Sequence, residues 1–145
     1  MKRIRMVSLR LVRERTFPYQ TRNLENSQAV FELFRQMAED LDREAMWVAC
    51  LDAKNHVTCL SQVSLGTLNS APVHPREILK IALVTNALSV ITVHNHPSGD
   101  PEPSREDRLV TAQIKTAAQI LGIKFLDHLI VGDGRFYSFA DQGGL

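Results

Sequence analysis

The amino-acid sequence predicts one α/β domain, a mixed sheet with helices on its faces. Apolar runs of strand length alternate with stretches of helical apolar spacing, and no internal repeat or low-complexity linker interrupts them. A chain of 145 residues, 44% hydrophobic and 23% charged, is long enough to bury a proper core as a single domain. No apolar run approaches the roughly 18 residues of a membrane span, and the basic N-terminus is not followed by a signal-type apolar core. The expected compartment is the cytoplasm, with no membrane partner.

Taken in order, residues 1–22 read as a basic N-terminal strand or extension and residues 23–145 as the folded domain. Between Ile4 and Val12, Val7, Leu9 and Leu11 alternate among arginines, the pattern of a half-buried edge strand. Through Arg22 there are seven basic residues and one acid, giving this segment +6 and leaving −5 for the rest of a chain whose net charge is +1. Such an arm could meet nucleic acid or an acidic partner. The preferred reading is a solvated edge whose charges discourage aggregation.

Ser27 is placed to cap a helix with Val30, Phe34, Met37 and Leu41 on one face, closed by Asp42-Arg43-Glu44. Met46 to Leu51, with Trp47 in the core, and Val57 to Val63 form a hairpin about the turn Asp52-Ala53-Lys54-Asn55. Cys50 and Cys59 flank that hairpin. With no C-x-x-C they are expected as reduced core thiols. Gly66 to Pro72 is a polar loop. Pro75 opens a helix with Ile78, Ile81, Ala82 and Thr85 in its buried stripe, which feeds the β-branched run Val90 to Val93. A helix starting at Ser104 carries Leu109, Ala112, Thr116 and Ile120 on one side and stops at Gly122. Ile123 to Val131, the turn Gly132-Asp133-Gly134 and Arg135 to Phe139 make a closing hairpin.

The chemistry concentrates in residues 94 to 107, H-N-H-P-S-G-D-P-E-P-S-R-E-D. His94 and His96 end a strand, where side chains two apart point to the same side, so both imidazoles can face one metal ion. Three prolines and a glycine between Pro97 and Pro103 turn the chain back, and Ser104 with Asp107 occupy the first turn of the next helix.

His94-x-His96-Pro97 followed by Ser104-x-x-Asp107 resembles the JAMM motif of the MPN, or JAB, zinc metalloproteases. The longer wording, with Gly66-Thr67-Leu68-Asn69 and Pro75-Arg76-Glu77 before it, resembles the RadC branch. The resemblance runs from about Ser27 to the end. It implies an α/β sandwich of cytidine-deaminase-like architecture and one zinc per chain, held by His94, His96 and Asp107. It also implies hydrolysis of peptide or isopeptide bonds by a metal-activated water, whose pKa such an ion brings to about 7. The glutamate to which the family gives the proton transfers, just before the first long strand, maps onto Glu44; spacing alone would not choose it among the chain's acids. Ser104 would donate to the developing oxyanion. Ser-Arg-Glu-Asp is equally what a helix start looks like, and both roles are compatible.

His128, inside an apolar strand, is expected to be a satisfied structural residue and not a ligand; His56 and His74 are expected at the surface or as caps. The rival function is a DNA-associated accessory protein with a structural or vestigial metal site. Full-length RadC-like proteins carry a further N-terminal helical region that this stretch is too short to hold, so a DNA role would rest on the basic arm. A zinc nucleobase deaminase would need H-x-E with P-C-x-x-C, which is absent.

Overall fold

A computed structural model describes residues 1–19, 23–66 and 73–145. Helix α1 (Ser27–Ala38) precedes the hairpin of β1 (Ala45–Leu51) and β2 (Val57–Leu65). Helix α2 (Pro75–Val84) leads to β3 (Ser89–Asn95), and α3 (Arg105–Leu121) to β4 (Lys124–Val131) and the short β5 (Phe136–Ser138). The sheet order is β2-β1-β3-β4-β5. Only β3 and β4 run parallel, joined through α3; the other neighbours are antiparallel, so the sheet is mixed as expected.

Strands β1 and β3 are buried along their whole length, because helices cover both faces. Period-two alternation sorts their side chains. Trp47, Ala49, Leu51, Ile91, Val93, Leu129 and Val131 pack under α1, where Phe34 is fully buried and its ring centroid lies 6.3 Å from that of Trp47. Met46, Val48, Cys50 and Val90 pack on the other face under α2 and α3, against Ile78, Ala82, Ile114 and Ala118. His94 and His128 share the parity of this second face, which is why their imidazoles meet α3.

Three local expectations need correction. Residues 1–19 contain no strand: Met6, Val7 and Val12 are 99%, 81% and 83% exposed, and no described strand pairs with them. Alternation suits a half-buried strand, but without a ladder to join, the hydrogen bonds that would offset the ordering entropy are not made. Only Phe17 and Tyr19 reach the core, half-buried beside α1.

The N-cap of α1 is Asn26, whose side chain accepts from the Ala29 N–H at 2.9 Å, while Ser27 is the first helical residue and its hydroxyl donates to Asp141 at 2.5 Å. The helix stops at Ala38, so Asp42-Arg43-Glu44 lie beyond it in the connection to β1.

The buried stripe of α3 is Thr111, Ile114 and Ala118; Leu109 and Ile120, on the expected face, are 54% and 80% exposed. Two stripes of helical spacing coexist in this segment. The one in phase with Asp107 wins, because that carboxylate faces the sheet and residues four and seven positions on share its side. The polar loop expected at 66–72 lies outside the described residues beyond Gly66.

Cys50 and Cys59 are direct cross-strand partners, both free, with Cys50 fully buried and Cys59 only partly so. Their mutual hydrogen bond raises the Cys50 thiol, as burial also does, and lowers the Cys59 thiol. Native protein is therefore expected to alkylate at Cys59 first and faster as the pH rises, with Cys50 silent until the fold opens. Peptide mapping after timed labelling reads this order, and equal rates at the two sites would contradict it.

Candidate metal centre

The C-terminal ends of the parallel strands β3 and β4 open at the same edge of the sheet as the start of β1 and the N-terminus of α3. This is the usual place for a site in an α/β sheet. Met46 pairs with His94 across β1 and β3, so the start of β1, just after Glu44, lies at the histidine end of β3. The Glu44 charge is felt by the His96 ring. Asn95, between the two histidines and 2% exposed, holds this start of β1. Its Oδ1 accepts from Ala45 N–H at 2.8 Å and its Nδ2 donates to the Arg43 carbonyl at 3.0 Å, gripping the backbone on both sides of Glu44. Gly66 N–H completes the hold by donating to the Glu44 carbonyl at 2.8 Å.

The loop from Pro97 to Pro103 is pinned to the β4–β5 turn. His96 N–H donates to the Val131 carbonyl at 2.9 Å and Asp133 N–H to the Gly99 carbonyl at 2.9 Å. Gly99 has φ +88°, and a Cβ at Gly132 would collide with the Gly99 carbonyl, so this close approach requires glycine at both positions. The loop delivers Ser104 to the N-cap of α3 with a reciprocal capping box. Asp107 N–H donates to Ser104 Oγ at 3.1 Å, and Ser104 N–H donates to Asp107 Oδ2 at 2.8 Å. The first of these uses a lone pair of Oγ and leaves the hydroxyl proton available.

His94 Nε2 lies 3.0 Å from His96 Nε2 and 3.3 Å from Asp107 Oδ1, and His96 Nε2 lies 3.2 Å from Asp107 Oδ2. These three residues offer ligand atoms that all lie within 4.8 Å of one another, so the group could hold a metal ion. The donor set fits one: two imidazole nitrogens and a carboxylate suit zinc, and three protein ligands leave a fourth position open. His96 Nδ1 is 2.8 Å from the Asp100 carbonyl, which can only accept, so the ring proton sits on Nδ1 and the Nε2 lone pair turns inward.

Burial would raise the Asp107 carboxyl, but the His94 and His96 rings beside it and the Ser104 N–H hold it well below the usual carboxylate range. Burial likewise opposes charging of His96, yet Asp107, the Asp100 carbonyl and the Glu44 charge raise it above its ordinary value. For metal-free protein the signs follow. The Asp107 contribution is present above its unfolded pKa of about 3.9 and fades as pH falls through the lower folded value. The His96 contribution is present below about 6.5 and fades as pH rises through the higher folded value. Zinc needs both groups deprotonated, so its stabilisation grows with pH. Thermal melts should therefore show the gap between zinc-loaded and metal-free Tm widening from about pH 6 to pH 8. A constant gap would contradict the pairing.

A family model described as the RadC-like JAB domain matches residues 24–145. The chain belongs to the RadC-like JAB family. A UPF0758 protein of Trichlorobacter lovleyi is 48% identical over 114 residues, covering 79% of this chain and 50% of the relative. One from Desulforamulus reducens is 51% identical over 104 residues, covering 72% and 46%. One from Methanosarcina barkeri is 46% identical over 114 residues, covering 79% and 50%. The chain spans about half the length of these relatives.

In this RadC-like domain the structure brings together His94, His96, Asp107 and Ser104 and sets Glu44 beside them. His74 caps α2 through Nδ1, accepting from Arg76 N–H at 3.1 Å, and His56 lies against Asp52 at the β1–β2 turn. The residues that the linear reading missed are Asn95 and Thr111. Asn95 had a signal in its place between two inward-facing histidines, and Thr111 in falling four residues after Asp107. Among the described residues no helix is long and apolar enough to cross a membrane.

Proposed function

We propose that this domain is a zinc-dependent hydrolase of peptide or isopeptide bonds. The observation that carries the reading is the convergence of His94, His96 and Asp107 at one sheet edge, with the charge of Glu44 reaching His96 from a clamped backbone. A zinc ion held by the three would supply Lewis acidity and lower the pKa of a water to about 7. Glu44 would take the proton from the attacking water and return it to the leaving amine. Its work is general acid–base catalysis, which contributes typically 10²–10⁴-fold. The Ser104 hydroxyl, fixed at the N-cap by its bond to Asp107 N–H, keeps its proton for the carbonyl oxygen as negative charge develops there. One such donor is worth about 2.7–4 kcal/mol in the transition state.

The test is metal analysis of native protein together with turnover on a peptide and isopeptide library, beside a DNA-binding titration of the intact chain and of a chain lacking residues 1 to 15. About one zinc per chain and hydrolysis that survives loss of the arm support the proposal. No zinc and no hydrolysis, with salt-sensitive DNA binding that disappears with the arm, would replace it with a DNA-associated accessory role.

A further inference from the structure

We propose that Thr111 and His128 are positioning residues that dictate which ring nitrogen of His94 is presented to the metal. The inference rests on the reading of His94 as a ligand and concerns residues that touch neither ion nor substrate. Thr111 Oγ1 lies 2.6 Å from the Asp107 main-chain carbonyl and 2.6 Å from His128 Nδ1. A carbonyl has no proton to give, so the single hydroxyl proton of Thr111 is donated to it. The contact with His128 then needs a proton from the other side, and it is His128 Nδ1–H that donates to Oγ1. A neutral imidazole carries one N–H. His128 Nε2 is therefore an acceptor, and its 2.8 Å contact with His94 Nδ1 requires His94 Nδ1–H to donate. That leaves His94 Nε2 with a lone pair, and this is the atom aimed at His96 and Asp107.

Every link sits where the fold holds it. His128 is completely buried, which favours the neutral ring, and it stacks on Phe139 with centroids 5.0 Å apart and planes 9° apart. Thr111 is 3% exposed and bonds back to the carbonyl of Asp107 four residues earlier on α3, so one of the three proposed ligands sets the polarity of another. If Thr111 could not donate to that carbonyl, the chain could run backwards. His128 would carry its proton on Nε2 and donate to His94 Nδ1, and the His94 proton would move to Nε2, where it blocks the metal. Partners that orient a ligating histidine in this way typically matter 10- to 100-fold in metal affinity.

The variants Thr111→Val and Thr111→Ser separate this role from packing. Valine keeps the shape and loses the hydroxyl, whereas serine keeps the hydroxyl and leaves a methyl-sized gap. Two readouts are taken on each: ¹⁵N NMR of the imidazoles in metal-free protein at alkaline pH, and zinc affinity by competition with a chromophoric chelator. The wild type and Thr111→Ser are expected to show Nδ1–H tautomers at His94 and His128 and to bind zinc alike. Thr111→Val is expected to lose that tautomer preference and to bind zinc 10- to 100-fold more weakly. His128→Gln, whose amide oxygen can accept from His94 Nδ1–H, should recover most of the affinity that His128→Leu loses. Wild-type His94 protonated on Nε2, or Thr111→Val binding zinc like the wild type while Thr111→Ser does not, would overturn the inference. Should the wild type bind no zinc at all, the metal reading fails while the tautomers of the metal-free protein still decide this one.

Discussion

Glu44→Gln is expected to leave zinc content and thermal stability close to wild type and to lower amide hydrolysis by about 10²–10⁴-fold. Glutamine keeps the size of the side chain, and the backbone hold on this position comes from Asn95 and Gly66, which the substitution does not touch. What disappears is basicity just before β1, where the Glu44 charge acts on His96. Measurement of kcat on a library substrate, alongside metal analysis and a melt, separates the chemical loss from a structural one. Asn95→Ala is a useful companion. It leaves the Ala45 N–H and the Arg43 carbonyl without their buried partner, so it should lower both hydrolysis and stability, the latter by about 1–3 kcal/mol. Hydrolysis unchanged in Glu44→Gln would remove this residue from the mechanism.

Asp107 has two tasks that substitutions can separate. Asp107→Ala removes one of the three proposed ligands and also the acceptor of Ser104 N–H, so zinc stoichiometry should fall from about one towards zero and the capping bond, worth about 1 kcal/mol, should be lost. Asp107→Asn keeps an acceptor for Ser104 N–H and loses the charge. It should melt closer to the wild type when metal-free and still bind zinc much more weakly. The loss of affinity in either variant, and in His94→Ala, should exceed the 10- to 100-fold typical of a mere hydrogen-bond partner of a ligand. Chelator competition reads the affinity, and stoichiometric zinc retained in both Asp107→Ala and His94→Ala would mean that the ion sits elsewhere.

The linear pattern was enough for the architecture, because β1 and β3 contain apolar runs of strand length and α2 keeps a helical apolar spacing, and their burial follows. It was also enough to bring together the residues that could hold a metal ion. His94 and His96 are two apart on one strand, and Ser104 and Asp107 lie within one capped turn, so short-range geometry brings each pair together without knowledge of the fold. Where two apolar stripes competed on α3, or where alternation in residues 4–12 promised a strand, the outcome depended on which surface was available to pack against. Periodicity carries no information about that.

The sequence by itself therefore determined the mixed α/β class and the histidine pair, with the capped Ser104 and Asp107, since these follow from local periods and from steric rules acting over a few residues. Only the tertiary structure decided that the start of β1 meets the end of β3, which brings the Glu44 charge to His96. It alone decided that Asn95 grips the chain around that glutamate, and that His128, 34 residues from His94, passes the polarity of Thr111 to it. The physical reason is that a hydrogen bond between distant segments depends on strand order and register. Those are settled by burial of both sheet faces together, and no single segment carries the result.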